Sequence, residues 1–470
     1  MNSTVDAIDD NPGNGVCHTA AGACSLRAAV QEANALSGGD TITLPAGVYT
    51  LTVVGEGEDL AATGDLDIKE AVGITGAGAA TTIVDGNDTD RVFHVAAPLT
   101  LSGVTIRNGN GVTYGGAILA FAAGEVLSLT DSQIAGSKAV HGGGLYVDAG
   151  AIVTLERVSI TDNTGTTAGG AIENSSGSVT LRNATVSGNK AGHGVGVANG
   201  DTLALEHVTL KDNGIDDSLE AGGGTTTVAR SILDLGPTGT ACGAGTFISQ
   251  GGNLEHGTSC AFAMPGDVSG VDPQLGPLQD NGGGTLTHGI PASSPAVDAA
   301  GSCPPPSEDQ RGTPRPLDGD GNGTAACDVG AFEYDPSAGS TTTTSTSTTT
   351  TTLPVGCATD TSFATVRCHL EALTDAVGSA ATAGALRDKA ITLLGQATVR
   401  VTQGDSATAG GNAKKARKLL AKAAQFVKKT RGKIGSKKGQ AAIPDATTRA
   451  ALQTDADAVR GAILALRDSL

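Results

Sequence analysis

The chain has 470 residues and a net charge of -18 at pH 7, a length that allows roughly two to four domains. Residues 1–356 hold 12 Lys+Arg against 39 Asp+Glu, and residues 357–470 hold 18 against 9. This argues against a specific nucleic-acid partner for the long acidic part and makes the basic end a candidate for anionic polymers. With 69 Gly, no Trp, four Tyr and seven Phe, the chain suits tight turns and stacked small side chains rather than a site for flat ligands, and its longest apolar runs fall short of a membrane span.

The opening MNSTVDAIDD has neither a positive n-region nor an apolar core, so no signal peptide is visible and a mature or misassigned start is expected. Residues 1–39 are read as a loop and a capping helix. CSLRAAVQEANA (Cys24 to Ala35) puts Leu26, Ala29, Val30 and Ala33 at helical spacing, with Arg27, Gln31 and Asn34 on the other side. Such a helix would shield the open end of a following β-structure from edge pairing. DTITLPAGVYTL (Asp40 to Leu51) and DIKEAVGITGAGAATTIVDG (Asp67 to Gly86) then read as two coils.

From about Leu99 to Leu235 one pattern recurs six times: LTLSGVTI, LSLTDSQI, VTLERVSI, VTLRNATV, LALEHVTL and TTVARSIL. The third residues, Leu101, Leu129, Leu155, Leu181, Leu205 and Val228, are 28, 26, 26, 24 and 23 apart. Apolar residues fall at 0 and +2, then at +5 and +7. Period 2 is a strand, and the switch of parity is a bend that keeps both strands facing one interior. Eight places after the third residue stand Ser137, Asn163, Asn189 and Asn213, read as polar turn residues. Glycine clusters follow at Gly115-Gly116, Gly142 to Gly144, Gly169-Gly170 and Gly194 with Gly196, each before a further short apolar run. Two strands, a glycine turn and a third strand make one rung. A leucine-rich repeat has this period too, but it needs a helical return that is absent here. The expected fold is mainly β, a right-handed parallel β-helix over residues 40–250 whose eight or nine coils stack at about 4.8 Å each.

Residues 251–336 lose the repeat and become Pro- and Gly-rich, an irregular C-terminal cap. Residues 337–356, with STTTTSTSTTTTTLP at Ser340 to Pro354, form a Ser/Thr-rich linker that cannot bury a core. Residues 357–470 are read as a small basic α-helical bundle, with helical periodicity over Phe363–Val377, Ala385–Val401, Ala413–Lys433 and Ala446–Leu466, and Leu452, Val459 and Leu466 in heptad steps.

The eight cysteines lie as sequence-local pairs: Cys17 with Cys24, Cys242 with Cys260, Cys303 with Cys327 and Cys357 with Cys368. None has CxxC spacing, and they are read as disulfides of an oxidising compartment, with connectivity left open.

CSLRAAVQEANA followed by GGDTITLPAGVYTL resembles the N-terminal CSLREA-type module of bacterial secreted β-helix proteins, with Ala28 where that family more often has Glu. The GGAI and GGGL turns are similar to the repeats of polymorphic outer-membrane proteins, and the coils resemble the pectin-lyase-like superfamily. Residues from Gly251 to Tyr334 resemble the choice-of-anchor Q region that closes such β-helices. The resemblance, over about Cys17 to Tyr334, implies a secreted or cell-surface β-helix and says almost nothing of activity.

Galacturonan hydrolases of this fold carry Asn-Thr-Asp, paired Asp, Gly-His-Gly and Arg-Ile-Lys in that order. Here Gly192-His193-Gly194 precedes Asp216-Asp217, the nearest match to the first string is Thr161-Asp162-Asn163, and Arg-Ile-Lys is absent. Lyases of the fold need an Arg or Lys base beside carboxylate-held calcium. Arg157 and Arg182 are the candidates here. Arg182 follows the third residue of its coil as Glu156 and Glu206 follow theirs, so the three should stack as a Glu-Arg-Glu ladder, which on a solvated face merely fixes register. His141 and His193 should stack two coils apart, as metal or glycan ligands or as plain turn residues. Near those turns only Tyr114, Phe121 and Tyr146 offer aromatic platforms. DGDGNGTAACD sets Asp318, Asp320, Asn322 and Asp328 as oxygen donors, the first half of a calcium loop with Val329 at the place of the closing Glu; it is read as structural calcium or a bare acidic turn.

KKARKLLAKAAQFVKKTRGKIGSKK (Lys414 to Lys438) carries nine Lys and two Arg. It is read as a solvated helix face, as an attachment to anionic surface polymer or membrane headgroups, or as a segment docking back onto the acidic β-helix. The expected function is a structural or adhesive surface protein whose basic C-terminal domain takes a surface glycan or anionic cell-envelope polymer; the alternative is a polysaccharide lyase or glycoside hydrolase acting on acidic polysaccharide. The oligomeric state is not legible.

Overall fold

The computed structural model describes residues 1–337, apart from 56, 215, 216, 302 and 306, and in the C-terminal part chiefly residues 413–436 and 446–470. The linker over Ser340–Pro354 and the Cys357 and Cys368 pair lie outside the described residues. The chain divides into two units, Met1–Thr341 and Thr342–Leu470.

In the first unit the repeat winds into a parallel β-solenoid of about 7 turns, with three strand faces. The first face stacks β1 (Asp40–Leu44), β4 (Val72–Gly76), β7 (Leu99–Ser102), β10 (Gly124–Thr130), β14 (Ala151–Glu156) and the opening halves of β18 (Ser178–Ser187) and β20 (Thr202–Lys211). Leu101, Leu129, Leu155, Leu181, Leu205 and Val228 occupy equivalent positions, fully buried, as the repeat requires. The turn count falls below eight or nine because the last coils keep only short or shifted strands: the pairing of β21 (Leu219–Ala229) with β23 (Cys242–Ser249) breaks register twice.

The bend between the paired strands has a single cause. Two residues past each anchor, Gly103, Asp131, Arg157, Asn183, His207 and Arg230 all adopt left-handed backbone, with φ between 46° and 63°. A residue there turns the chain sharply without a loop and so sets both strands facing one core.

Ser137, Asn163, Asn189 and Asn213 stand at a corner of the coil, as polar turn residues should, but they do not face solvent. They are buried and stacked into a ladder inside the second corner. The Asn163 and Asn189 amides donate to Asn189 and Asn213 Oδ1 at 3.1 and 2.9 Å, and the same oxygens accept the Asn163 and Asn189 backbone N–H groups at 3.0 and 3.1 Å. Each rung thus satisfies backbone groups its corner would otherwise leave unpaired. A shorter ladder joins Asn174 to Asn199.

Helix α1 (Leu26–Ala35), capped by Ser25 Oγ accepting the Ala28 N–H, closes the N-terminal end with Leu26, Ala29, Val30 and Ala33 in the solenoid core. Its polar side is not solvated as expected: Arg27, Gln31 and Glu32 are buried as well. The N-terminal residues fold over that side, where Asp6 pairs with Arg27 at 2.7 Å, Gln31 accepts the Asp9 N–H and Glu32 accepts the Gly13 N–H.

Residues 251–337 do more than close the other end; they return along the second face. Thr285 donates to the Arg157 carbonyl, Thr185 to Gln310, and Asn183 to the Glu308 carbonyl, and His288 bonds Ser187. Polar side chains on that face such as Thr185, Ser187 and Thr209 are therefore buried under the return segment. Three disulfides form, Cys17–Cys24, Cys242–Cys260 and Cys303–Cys327, each between sequence neighbours as expected.

In the second unit α2 (Ala413–Ile434) packs on α3 (Ala446–Ser469). Leu420, Ala423, Val427 and Ile434 are buried with Leu452, Val459 and Leu466, as the heptad spacing predicts. Among the described residues no helix is long and apolar enough to cross a membrane.

Candidate functional site

With the second face covered from Gln133 onward, chemistry concentrates on the third. Its strands, β3 (Leu66–Ile68), β6 (Phe93–Val95), β9 (Ile118–Phe121), β13 (Leu145–Asp148), β17 (Ile172–Asn174), β19 (Val197–Asn199) and the start of β21, are short and in register. Alternation sends Leu66, Phe93, Ile118, Leu145, Ile172 and Val197 inward. The residues between them, Asp67, His94, Leu119, Tyr146, Glu173, Ala198 and Glu220, form one outward column. A second column comes from the preceding turns, where Tyr114, His141, Ala168 and His193 pair rung to rung.

The glycine turns make the second column possible. Gly115, Gly142, Gly169 and Gly194 have φ of 53° to 64°, and a Cβ on Gly116 or Gly143 would fall within 2.6 Å of backbone on the next rung. Turns this tight keep the ring-bearing residues directly above one another.

The columns lock together diagonally. His141 Nδ1 lies 3.0 Å from Glu173 Oε2 and His193 Nδ1 2.5 Å from Glu220 Oε2. The Tyr114 ring centroid is 4.6 Å from that of Tyr146 and 5.6 Å from that of His141. Tyr114 and Phe121 are exposed, whereas Tyr146 is buried beneath them. Together with His94, Leu119 and Asp148 they line a depression of about 320 Å³. A second, of about 290 Å³, shares His94 and Phe121 and is completed by Asp59, Asp67, Lys69 and Ala96. A third, of about 240 Å³, lies further along the same face between Glu173, His193 and Glu220. Burial pushes the Glu173 carboxyl above the usual range against the pull of His141, and burial also pushes the Tyr146 phenol up.

Exposed rings beside imidazoles and carboxylates can stack on the apolar face of a sugar and bond its hydroxyls. With rungs about 4.8 Å apart, the His141–Glu173 and His193–Glu220 pairs recur every second rung, at close to the length of two sugar units. The lining is acidic, with Lys69 its sole cation, so it suits a neutral or amino-bearing glycan better than a polyuronate.

The other expected residues lie elsewhere. Arg157 sits at the corner of the first and second faces, where it donates to both Asp131 oxygens at 2.7 and 2.8 Å and contacts Glu156. The hydrogen bond to Asp131 holds its pKa above the usual value, the wrong direction for a proton-abstracting base. Arg182 forms the expected ladder, in register with Glu156 and Glu206 and 3.2 Å from Glu206 Oε2, and Arg230 extends it at 2.6 Å. Neither arginine lines a third-face depression. The hydrolase-like strings are dispersed too: His193 belongs to the third face, Asp162 is a left-handed corner residue and Asn163 is inside the asparagine ladder, while Asp216 lies outside the described residues.

In the calcium-like loop, Asp298 joins Asp318 and Asp320, with ligand atoms within 4.8 Å of one another. Asp328 does not. It is buried, its oxygens accepting the Asp298 and Tyr334 N–H groups, and burial pushes its pKa up to about 7. Asn322 bonds Asp320. The carboxylates brought together for a hard cation are therefore Asp298, Asp318 and Asp320, while Asp328 is turned to backbone N–H groups. Spacing could not reveal Asp298, which approaches through tertiary folding from 20 residues upstream of Asp318.

No family model, no curated protein and no solved structure matches the chain.

Proposed function

We propose that this is a secreted or surface-displayed adhesive β-helix protein that holds a neutral or amino-bearing glycan along its third face without cutting it. One observation carries the reading: exposed Tyr114 and Phe121 flank a depression floored by Tyr146 and His94, on a face whose histidine–carboxylate pairs repeat along the stack. Three disulfides support an oxidising location, and the likeness of the N-terminal and closing segments to CSLREA-type and choice-of-anchor Q proteins belongs to this reading. The second unit is the attachment element. Lys414, Lys415, Arg417, Lys418, Lys422, Lys428, Lys429 and Lys433 are exposed on α2, a cationic surface fit for anionic envelope polymer.

Binding to an array of neutral, amino-bearing and acidic polysaccharides tests it. Tyr114→Ala and Phe121→Ala are each expected to weaken retention by about 1 kcal/mol, roughly fivefold. Unchanged retention in both rejects the site. Glycan cleavage is the competing reading, favoured only by the raised pKa of Glu173, which suits a general acid. New reducing ends or unsaturated products that disappear in Glu173→Gln would replace adhesion with catalysis.

A further inference from the structure

At one end of the groove an imidazole meets two carboxylates. Asp67 and His94 hold equivalent positions on successive rungs, so their side chains leave the face side by side, with His94 Nδ1 3.0 Å from Asp67 Oδ1. The loop before β3 brings Asp59 Oδ1 to 3.9 Å from the same nitrogen. One ligand atom from each of the three residues lies within 4.8 Å of the others, and all three line the depression of about 290 Å³.

Burial makes this cluster unlike the others on the face. The Asp67 side chain is 2% exposed, yet among the described residues its partners are the imidazole and the Ala61 N–H. Among the described residues no Lys or Arg comes within ion-pair distance of Asp67 or Asp59, whereas neighbouring Asp65 has Arg91 at 2.7 Å. His141 and His193 each face one carboxylate; His94 faces two. Lys69 lines the same depression but comes within ion-pair distance of neither carboxylate, and a buried carboxylate with no guanidinium or ammonium paired to it is where a bound cation is most stabilising.

We propose that Asp59, Asp67 and His94 bind one divalent transition-metal cation of the zinc class. One imidazole nitrogen with two carboxylate oxygens favours Zn²⁺ over Ca²⁺ and Mg²⁺, which take all-oxygen shells. Three protein donors leave a position open toward the groove, for water or for a hydroxyl oxygen of a sugar. The occupant of that open position rests on the glycan reading; the metal site does not.

Titration calorimetry of the full chain with ZnCl₂ tests it. The expected result is one saturable site weakened at least tenfold in Asp59→Ala and in His94→Gln and unchanged in Asp318→Asn. Asp59 lies exposed on a loop, so its removal leaves the fold intact, and circular dichroism checks both variants. Absence of a one-to-one site, or an affinity in Asp59→Ala and His94→Gln equal to that of the native chain, overturns the proposal. Glycan retention is measured in parallel with and without chelator. Retention without zinc binding removes the metal site and leaves adhesion standing; zinc binding without retention does the reverse.

Discussion

Asn189 shows how much one polar side chain holds here. Its oxygen accepts both the Asn163 N–H and the Asn163 amide, while its own amide donates to Asn213 and to the Ile160 carbonyl, all out of water. Truncation leaves buried donors and an acceptor unpaired at about 1–3 kcal/mol each. Asn189→Ala is expected to destabilise the solenoid by about 3 kcal/mol in urea titration, and a loss below about 1 kcal/mol would show that the ladder is dispensable. His207 makes a different kind of prediction. It lies buried in a first-face corner, its Nδ1 accepting from Arg315, and burial with the charges of Arg315 and Arg230 drives its pKa down to about 2. A pKa depressed below the unfolded value of 6.5 lends stability that is present above pH 6.5 and lost as pH falls toward 2. Asp65 and Asp328, raised by burial to about 6 and about 7, act oppositely: their contribution is present below about pH 4 and lost as pH rises through those values. The stability of His207→Gln relative to the native chain should therefore improve as pH falls from 7 to 4. A constant difference across that range would refute the assignment.

Among the elements, α1 and the return segment were the least well anticipated. An amphipathic pattern reads Arg27 as solvent-facing, but the chain before the helix supplies Asp6, and the loop after the first coil supplies the carbonyls of Ala61, Gly64 and Asp65. Removing one member of a buried ion pair costs about 3–5 kcal/mol, because the other is left charged and unpaired. Arg27→Met is accordingly expected to lower stability by about 3 kcal/mol and to loosen the N-terminal end, seen as faster amide exchange over residues 40–51. Slow exchange there would mean that the helix is not the closure. The return segment is fixed by contacts from Thr285, Gln310 and Arg315 to residues over 100 positions earlier, and it buries polar side chains of the second face while the third keeps Tyr114 and Phe121 exposed.

At the scale of the whole molecule, charge is partitioned between the two units: the first holds the acidic excess, the second the exposed lysines of α2. Attachment and recognition should then be separable. Deleting residues 357–470 is expected to abolish retention on an anionic polymer, with the intact chain's retention falling steeply between low and physiological salt, while leaving glycan retention and the β-type circular dichroism of the solenoid unchanged. Equal retention on the anionic polymer after deletion would place attachment elsewhere.

The repeat, its strand pairs, the glycine turns, the sequence-local cystine partners and the Glu156-Arg182-Glu206 ladder were legible in the chain because each depends on a spacing of one rung or less, and a stack reproduces that spacing as contact. Tyr114, Phe121, Tyr146 and His141 were visible as individual residues near turns. Only the folded stack decided that they share one face with His94 and Asp67, because left-handed corners such as Arg157 and His207 carry no strong residue preference and the third strands are only a few residues long. The burial of Asn163 and Asn189, the exchange of Asp328 for Asp298 and the covering of the second face likewise came from tertiary structure. They join residues far apart in the chain through buried polar contacts, and no local period encodes such contacts.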